Sequence, residues 1–464
     1  MTSLAPLALD TRSKDTDIHV VGVTGVEGMS VMDFLVAEGF TNVTGHCLCK
    51  KDGLERELLE NVVLTHPAEK RRLLERVRAW SNRVRSGADY LNVIEEADLV
   101  FLPQSWKLYK ENVQLLSLKV PRYNIMHLYL ELAPCTTIGV TGSDGKTTTT
   151  NLIAHLLRAG GRSAEISGNY RQGPQVLSRI KMLDPNGFLV LEISNRHLDF
   201  GLTKHPNIAV VTNVTENHLT EHESFEAYVC TKASIIGPET IAVLNKENVQ
   251  TAKMGKGAKE VHFFEKRLVP FAIANPSLFG EHNLENVAAA YVVGNLVGLT
   301  DDELHRAFES FIAVPERLEL VGEIHGRLVI NNLSGTSAES TRRGVLAFSG
   351  RPVSLVMGGD TKGVDYTDFA DTLKREGTSV HAVRSEASHA LRVLGVHLEE
   401  HDTAKDASVA AFQRTPKDGV LLFSPGGAFF ESRFLNKKKN PNALSFQEII
   451  SLLRSSEPPR DQSQ

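Results

Sequence analysis

The segment TTIGVTGSDGKTTTTNLI (136–153) carries the strongest chemical signal in the chain. A β-branched run ends in a glycine-rich turn and a helical pattern follows at once; the residues of this turn are Gly142, Ser143, Asp144, Gly145, Lys146, Thr147 and Thr148. Glycines allow backbone N–H groups to wrap a phosphate, and a helix N-terminus adds partial positive charge. Lys146 can reach the terminal phosphates, and Thr147 or Thr148 can hold Mg²⁺. The segment predicts a mononucleotide phosphate loop, although Val140 stands where the common pattern has its first glycine.

Two kinds of element alternate along the chain and would position this loop. Short β-branched runs, typical of buried parallel strands, occupy 18–25, 136–142, 188–194, 208–214, 241–245, 351–359 and 419–427. Patterns with apolar residues three and four apart predict helices over 147–160 and 284–298. We therefore predict an α/β protein of parallel or mostly parallel sheets with helices. Boundaries near Leu132–Pro134 and Val314–Pro315 would divide it into three domains, 1–133, 134–315 and 316–464.

The composition is that of an ordinary globular protein. The 464 residues are 41% hydrophobic and 23% charged, which argues against wholesale disorder. The formal net charge of −5 gives no basic excess that would indicate a nucleic-acid or membrane partner. The four cysteines are too few for a disulfide framework, and Cys47 and Cys49 lack the second pair of a zinc site. We expect a cytoplasmic protein in which these two residues are plain thiols near a strand end.

The loop spacing belongs to a narrower group of proteins. Its pattern, G-[ST]-x-G-K-T-T, resembles that of the Mur ligase family, ATP-dependent amide ligases that build the peptidoglycan stem peptide. The resemblance implies a Rossmann-like N-terminal domain, a central P-loop ATPase domain and a Rossmann-like C-terminal domain. It also implies a monomeric enzyme whose partners are small molecules, namely ATP, a UDP-sugar-linked acid and an amino acid.

The chain after the phosphate loop contains three residues that match the family's metal-binding groups. Glu192 ends the apolar run FLVLEIS (188–194), where a strand-end carboxylate can bind Mg²⁺. His218 lies in a segment that resembles the family's N-x-x-x-D-H, and Lys232 stands where the family carries an N-carbamylated lysine. The resemblance implies two Mg²⁺ ions, held by Thr147 or Thr148 together with these three side chains. Lys146, Glu192, His218 and Lys232 would be the catalytic residues.

Two later segments would complete the ATP site. GEHNLENVAAA (280–290) matches the family's G-x-H-N-x-x-N-x-x-A-A, which implies that Asn283 and Asn286 contact the nucleotide. Arg317 sits where the family has an arginine that reaches the ATP phosphates, although Glu316 replaces the histidine before it.

The remaining substrates would be bound at five positions. Gly25 lies in a strand-to-helix turn that suits the pyrophosphate of a UDP-sugar. Asn169 and Ser194 match substrate-binding segments of the family. Thr336 matches a group expected near the amino acid or the nucleotide, and Lys362 lies in a segment that resembles the family's G-G-x-x-K-x-x-D-[FY]. These features favour the family members that add glutamate, expected as D-glutamate, to UDP-N-acetylmuramoyl-L-alanine.

The third predicted domain departs from this pattern. Where the glutamate-adding members read N-D-S-K-A-T-N, this chain has Asn332 and Ser334 in place of the Asp and the Lys. Phe429 replaces a serine expected to bind the incoming carboxylate, and His197 replaces a glutamine near the sugar nucleotide. A missing cation opposite a carboxylate costs on the order of 1.5–3 kcal/mol. The cations that could compensate are Lys362, Arg433 and the run 437–439.

The predicted reaction is ATP-dependent ligation through an acyl phosphate, which gives ADP and phosphate and needs no protein nucleophile. Three alternatives stay open. The first is a sister ligase that uses another amino acid, such as L-glutamate, or that extends folate or polyglutamate. The second is a P-loop kinase or NTPase with a different partner. The third is a non-catalytic, ligase-like binding subunit, which the departures in the third domain motivate.

Overall fold

The computed structural model describes residues 5–50, 53–61, 67–170, 175–215, 222–278, 280–361, 363–436 and 443–456. The chain forms two compact units. Unit 1 consists of Met1–Glu265 and Ala289–Leu304, and unit 2 consists of Lys266–Ala288 and His305–Gln464. The predicted division into three domains stays a prediction.

The first sheet of unit 1 has five parallel strands. The strands are β1 (Ile18–Val21), β2 (Val43–Cys47), β3 (Val84–Ser86), β4 (Leu99–Phe101) and β5 (Arg122–Tyr123). Their spatial order is β3-β2-β1-β4-β5. The helices of this part are α1 (Val26–Ala37), α2 (Leu54–Asn61), α3 (Pro67–Trp80) and α4 (Ile125–Leu132).

The second sheet of unit 1 has six strands and is also parallel. In chain order its elements are β6 (Thr136–Thr141), α5 (Lys146–Ala159), β7 (Ala164–Gly168), β8 (Phe188–Glu192), α6 (Asn195–Leu198), β9 (Ile208–Val211), α7 (Phe225–Ala233), β10 (Ile241–Asn245) and β11 (Glu260–Phe264). The order in space is β11-β10-β9-β6-β8-β7. Helices α8 (Glu281–Leu296) and α9 (Asp301–Glu309) follow in the chain. Buried side chains of both sheets of unit 1 join in one hydrophobic cluster, which includes Phe34, Leu177 and Leu191.

The sheet of unit 2 is mixed. Its elements are β12 (Glu319–Ile324), β13 (Arg327–Asn331), α10 (Ala338–Leu346), β14 (Val353–Gly358), α11 (Thr367–Arg375), β15 (Ser379–Val383), α12 (Glu386–Val393), β16 (Leu398–His401), α13 (Ala404–Arg414), β17 (Val420–Gly426) and α14 (Phe446–Ser455). The spatial order is β12-β13-β17-β14-β15-β16, and only the β12–β13 pair in this sheet is antiparallel. His325 and Gly326, both at positive φ, make the two-residue turn between β12 and β13, as a twisted hairpin requires.

The α/β prediction is confirmed. Each of the seven predicted runs contains a strand, and both predicted helices are present. The runs form strands because their β-branched and leucine side chains can be buried on both faces of a helix-covered parallel sheet. All the parallel strands of one sheet end at the same edge, so the polar residues that follow them are brought together there.

One expectation about cysteine is corrected. Cys47 and Cys49 are joined in a disulfide, with their Cα atoms 5.3 Å apart. The chain turns at the end of β2, and this brings the two residues within the distance that a disulfide can span. Cys135 and Cys230 are free thiols. Within the described ranges, none of the helices has the length and apolar character needed to cross a bilayer.

Candidate active site

The phosphate loop lies between β6 and α5, at the carboxyl edge of the second sheet. Gly142 has φ 150°, and a β-carbon there would lie 1.9 Å from Thr212 Oγ1, so the position requires glycine. Gly145, at φ 80°, is the N-cap of α5. The two glycines allow the chain to turn sharply from the strand into the helix. The first turn of α5 therefore faces the space beyond the sheet edge, where a phosphate can meet its N–H groups.

Residues after β9 hold the loop in shape. The N–H of Ser143 donates to Asn213 O at 2.8 Å, and that of Asp144 donates to Asn213 Oδ1 at 3.0 Å. Thr212 Oγ1 donates to Asp144 O at 2.6 Å, and Ser143 Oγ lies 3.1 Å from the Tyr228 hydroxyl oxygen. The loop is thus preorganised by protein contacts. Since Asn213 engages these two N–H groups, the phosphate-facing donors are those at the start of α5.

Lys146 is folded back over this loop. Its Nζ donates to the carbonyl oxygens of Gly142 at 2.8 Å and Ser143 at 2.7 Å. The ammonium is therefore held at the mouth of the loop, within reach of the groups that would surround a terminal phosphate. It can exchange two neutral carbonyl acceptors for charged phosphate oxygens, which make stronger hydrogen bonds.

A carboxylate and a hydroxyl meet beside the loop. Thr147 Oγ1 donates to Glu192 Oε2 at 2.7 Å, and Asn169 Nδ2 donates to Glu192 Oε1 at 2.9 Å. Glu192 is buried at the carboxyl end of β8, the strand next to β6. An oxygen pair of this kind fits the coordination preferences of Mg²⁺. Thr147 makes this contact, whereas Thr148 is only half-buried.

Lys232 is buried under the same loop. Its Nζ donates to Gly142 O at 3.0 Å and to Thr141 Oγ1 at 3.3 Å, and lies 5.2 Å from the centre of the Tyr228 ring. Burial holds the pKa of Lys232 well below its usual value, and the charge of Lys146 lowers it further. The amine therefore loses its proton easily, and the neutral amine is the form that reacts as a nucleophile.

A second buried carboxylate lies on the first-sheet side of unit 1. Glu27 is in the first turn of α1, two residues after Gly25, the N-cap of that helix. Its oxygens accept hydrogen bonds from the Gln104 N–H at 2.9 Å and from Gln104 Nε2 at 2.7 Å, and His197 Nε2 lies 2.9 Å away. Burial alone would raise the pKa of Glu27, but His197 and these hydrogen bonds lower it below its usual value. The predicted pyrophosphate turn thus contains an ionised side chain.

Gln104 connects the two carboxylates. Its Nε2 also donates to Asn169 Oδ1 at 2.9 Å, and its Oε1 accepts from Ser194 Oγ at 2.7 Å. Because Asn169 in turn donates to Glu192, hydrogen bonds run without a break from the turn after β1 to the phosphate loop. The two predicted substrate residues, Asn169 and Ser194, are both part of this network.

Sequence reasoning missed Glu27 and Gln104 as site residues. A signal for Gln104 was present, because it is a polar residue just past the carboxyl end of the apolar strand β4. Glu27 lies inside the glycine-rich turn itself, where an acidic residue is unexpected for a phosphate site. Neither signal could show that the two side chains meet, because that contact spans 77 positions of the sequence.

The departures in unit 2 are built into local structure. Asn332 is buried; its Nδ2 donates to Ser424 Oγ at 2.9 Å, and its Oδ1 accepts from the Leu318 N–H at 3.3 Å. Ser334 Oγ donates to Glu316 O at 2.7 Å. Both side chains satisfy neighbouring backbone and hydroxyl groups, so neither replaces the charge of the family's Asp or Lys.

The other predicted residues of unit 2 are placed as follows. Thr336 is exposed in the turn after β13. Phe429 is 58% exposed at φ 61°, and the Arg433 guanidinium lies 5.7 Å from its ring centre. Arg433 also donates to Asp360 at 2.8 Å, so this cation already has an acidic partner.

The two predicted asparagines are buried at the start of α8, where Asn286 Nδ2 donates to Asn283 Oδ1 at 2.9 Å. Arg317 has a buried Nε with no hydrogen-bond partner among the described residues of the structure. The predicted residues His218 and Lys362, and the lysine run 437–439, lie outside the described residues. For these three the sequence interpretation stays a prediction.

A glycine-built phosphate loop with a carboxylate on the neighbouring parallel strand defines a P-loop nucleotide-using α/β enzyme. The Mur ligase middle domain matches residues 140–267, which contain this loop. The chain is 31% identical over 330 residues to a UDP-N-acetylmuramoylalanine–D-glutamate ligase of Desulfitobacterium hafniense, covering 65% of this chain and 72% of that relative. The chain therefore belongs to the Mur ligase family, as its sequence predicted.

Two further comparisons extend over more of the chain. The ligase of the same name from Acetivibrio thermocellus is 28% identical over 423 residues, which cover 82% of this chain and 88% of that one. The crystal structure of UDP-N-acetylmuramate-alanine ligase from Thermotoga maritima has a TM-score of 0.58 at 19% identity, covering 90% and 97% of the two chains. At this identity the structural likeness shows a shared fold.

Proposed function

We propose that this chain joins glutamate, in the D form, to UDP-N-acetylmuramoyl-L-alanine with the consumption of ATP. The observation that carries the proposal is the preorganised phosphate loop with Glu192 beside it, in a chain 31% identical over 330 residues to a ligase of that name. Ligases of this family use ATP and Mg²⁺ and act on small-molecule substrates. The reaction class follows from the family, and the choice of substrates is the part to be tested.

The first step is phosphoryl transfer. A carboxylate oxygen of the sugar-linked substrate attacks the γ-phosphorus of ATP. The bond between the γ-phosphorus and the β–γ bridging oxygen breaks, which gives ADP and an acyl phosphate. The start of α5 and Lys146 would bind the transferred group, because they supply N–H donors and a cation at the loop mouth. The residues that would hold Mg²⁺ are Thr147 and Glu192, and the ion when bound neutralises charge on the phosphates.

Lys232 would supply a further metal-binding group. Addition of CO₂ to its neutral Nζ forms an N–C bond and releases a proton, which leaves a carbamate in place of an amine. The low pKa of Lys232 supports this step, because the neutral amine is the reacting form. A second Mg²⁺, with His218 as a ligand, belongs to the same proposal.

The second step forms the amide. The amine of the amino acid attacks the acyl carbon, phosphate leaves, and the nitrogen loses a proton. We assign the three predicted domains to the three substrates: 1–133 to the sugar nucleotide, 134–315 to ATP and 316–464 to the amino acid. Asn283, Asn286 and Arg317 would contact ATP, and Thr336 and Lys362 would lie toward the amino acid.

Two features make the substrates worth testing one by one. The uncharged Asn332 and Ser334 stand where the glutamate-adding ligases have charges, and this favours a second candidate, a ligase for a different amino acid. Glu27, an acidic residue that is unexpected beside a phosphate group, lies two residues after Gly25, so the sugar-nucleotide end needs a test that is independent of catalysis.

The deciding experiment is phosphate release from ATP by the purified protein. UDP-N-acetylmuramoyl-L-alanine is supplied with a panel of D- and L-amino acids, with and without bicarbonate. Release with D-glutamate alone supports the proposal, and release with another amino acid moves the substrate while keeping the mechanism. No release with any amino acid contradicts it. A calorimetric titration of the protein with UDP tests separately whether the nucleotide part of the sugar substrate binds.

A further inference from the structure

Three metal-ligating side chains meet in unit 2, on strands that take no part in the proposed reaction. His381 lies on β15 and pairs in register with Glu399 on β16, and His401 lies two residues further on β16. Residues two apart on a strand share a face, so all three side chains are on one side of the sheet. His381 Nδ1 is 3.7 Å from Glu399 Oε2, and His401 Nε2 is 3.9 Å from Glu399 Oε1. The three ligand atoms lie within 4.8 Å of one another.

One imidazole nitrogen of each histidine lacks a hydrogen-bond partner in the part of the chain that the structure describes. His381 is 1% exposed, and its Nδ1 has no hydrogen-bond partner among the described residues. His401 Nε2 is likewise buried without one in the described part of the chain. Buried polar atoms are nearly always bonded, so two unsatisfied nitrogens aimed at one carboxylate point to a missing common partner.

The surroundings favour a metal ion as that partner. His381 faces the carboxylate of Glu399 through Nδ1, which lies 3.7 Å from Oε2. The other ring nitrogen, Nε2, lies 3.0 Å from Ser379 Oγ. If Nε2–H donates to that hydroxyl, Nδ1 carries the lone pair, which is the usual support of a metal-bound histidine.

We propose that His381, Glu399 and His401 form a binding site for one divalent transition-metal ion, with Zn²⁺ as the expected ion. Two imidazoles and one carboxylate are a common zinc ligand set that leaves one position for water. In a four-coordinate zinc site the ligand atoms lie about 3.4 Å apart. The required displacement of each ligand atom is therefore between a fraction of an ångström and about one ångström. Mg²⁺ is excluded by its preference for oxygen ligands, which separates this site from the one at Glu192. Entry is open, because Glu399 is 48% exposed at the edge of the sheet.

The test is a titration of the metal-free, full-length protein with Co²⁺ in the absence of ATP, monitored by visible absorption. Co²⁺ in a four-coordinate site absorbs far more strongly than six-coordinate Co²⁺, and the central site, proposed for Mg²⁺, should hold the ion with six ligands. We expect one equivalent of strongly absorbing Co²⁺, displaced by one equivalent of Zn²⁺. Zn²⁺ should also raise the melting temperature, since it would bind the folded protein and link β16, the edge strand, to β15.

Three variants complete the experiment. Glu399→Gln keeps the size of a half-exposed side chain, and His401→Asn removes one imidazole; each should weaken Co²⁺ binding by at least about tenfold. His389→Asn is the matched control and should leave binding unchanged, because His389 is exposed on α12, and that helix contacts the opposite face of β16 through Ser388 and Glu400. Absence of the absorption band in the wild type overturns the proposal. Equal Co²⁺ affinity of the wild type and both ligand variants also overturns it.

Discussion

The phosphate loop of unit 1 and the turn after β13 in unit 2 have opposite relations to the family pattern. The loop keeps the cation and the carboxylate that the family pattern implies, with Lys146 at its mouth and Glu192 on the next strand. The turn after β13 lacks the two charges that the resemblance implies, and Asn332 and Ser334 form hydrogen bonds with neighbouring groups of the same unit.

This difference teaches which part of the reaction the chain constrains most. Phosphoryl transfer depends on charged groups held at fixed places around the phosphates, so these groups leave little freedom. Many different sets of side chains can bind an amino acid. A position that no longer contacts the substrate carboxylate can therefore take a structural role. The contrast predicts that variants at the loop affect rate and that variants at Asn332 affect stability.

The largest effect is expected for Lys146→Ala. Removal of the cation at the loop mouth should lower kcat/KM for ATP by about 10³-fold, because it eliminates one charged donor to the transferred phosphoryl group. Phosphate release measures it. Lys204→Ala, which removes an exposed lysine of the same unit, is the control and should leave the rate unchanged. Unchanged phosphate release by Lys146→Ala would contradict the role given to this lysine. Intact function of the variant in vivo without phosphate release would favour the non-catalytic binding subunit.

The next effect concerns stability. Asn332→Ala leaves the Leu318 N–H without its acceptor and should lower the free energy of unfolding by about 1–3 kcal/mol, with kcat little changed. Urea unfolding followed by circular dichroism measures it, because both tryptophans, Trp80 and Trp106, lie in unit 1 and do not report on unit 2.

The control for this variant is Gln413→Ala, an exposed change inside α13, which should alter the free energy by less than about 0.5 kcal/mol. A stable Asn332→Ala protein with greatly reduced kcat would contradict the contrast between the two regions. It would place Asn332 among the residues that act on substrate.

The same contrast explains what the sequence could predict. The strands and the phosphate loop were predictable because their signals are local: β-branched runs, two glycines and a lysine at fixed spacing. The hydrogen bonds of Gln104 to Glu27 and Asn169 were not, because they join segments far apart in the chain. The meeting of His381 with Glu399 depends on strand register, which the sequence alone does not give.

A smaller effect is expected for Gln104→Leu. The change removes the side-chain bonds to Glu27, Asn169 and Ser194, while the backbone N–H bond to Glu27 remains. Since Asn169 positions Glu192, kcat should fall by about tenfold and the Mg²⁺ concentration for half-maximal rate should rise, with the KM for ATP unchanged. Steady-state kinetics over a Mg²⁺ series measure this. A purely structural role for Gln104 would lower the melting temperature without moving the Mg²⁺ dependence, and Gln114→Leu, an exposed change, should move neither.

The smallest effect, and the one that most directly restores the lost pattern, is expected for Ser334→Lys. If the substrate is glutamate, a lysine at this half-buried position should lower its KM by about two- to fivefold, because a partly exposed ion pair contributes about 0.2–1 kcal/mol. Ser334→Met loses the same hydrogen bond to Glu316 O and adds similar bulk without charge, so it isolates the electrostatic part. The gain of the lysine variant should shrink as salt is added, since screening weakens an exposed pair. If Ser334→Lys raises the KM for glutamate while leaving that for a neutral amino acid unchanged, the turn after β13 has been adapted to a different substrate.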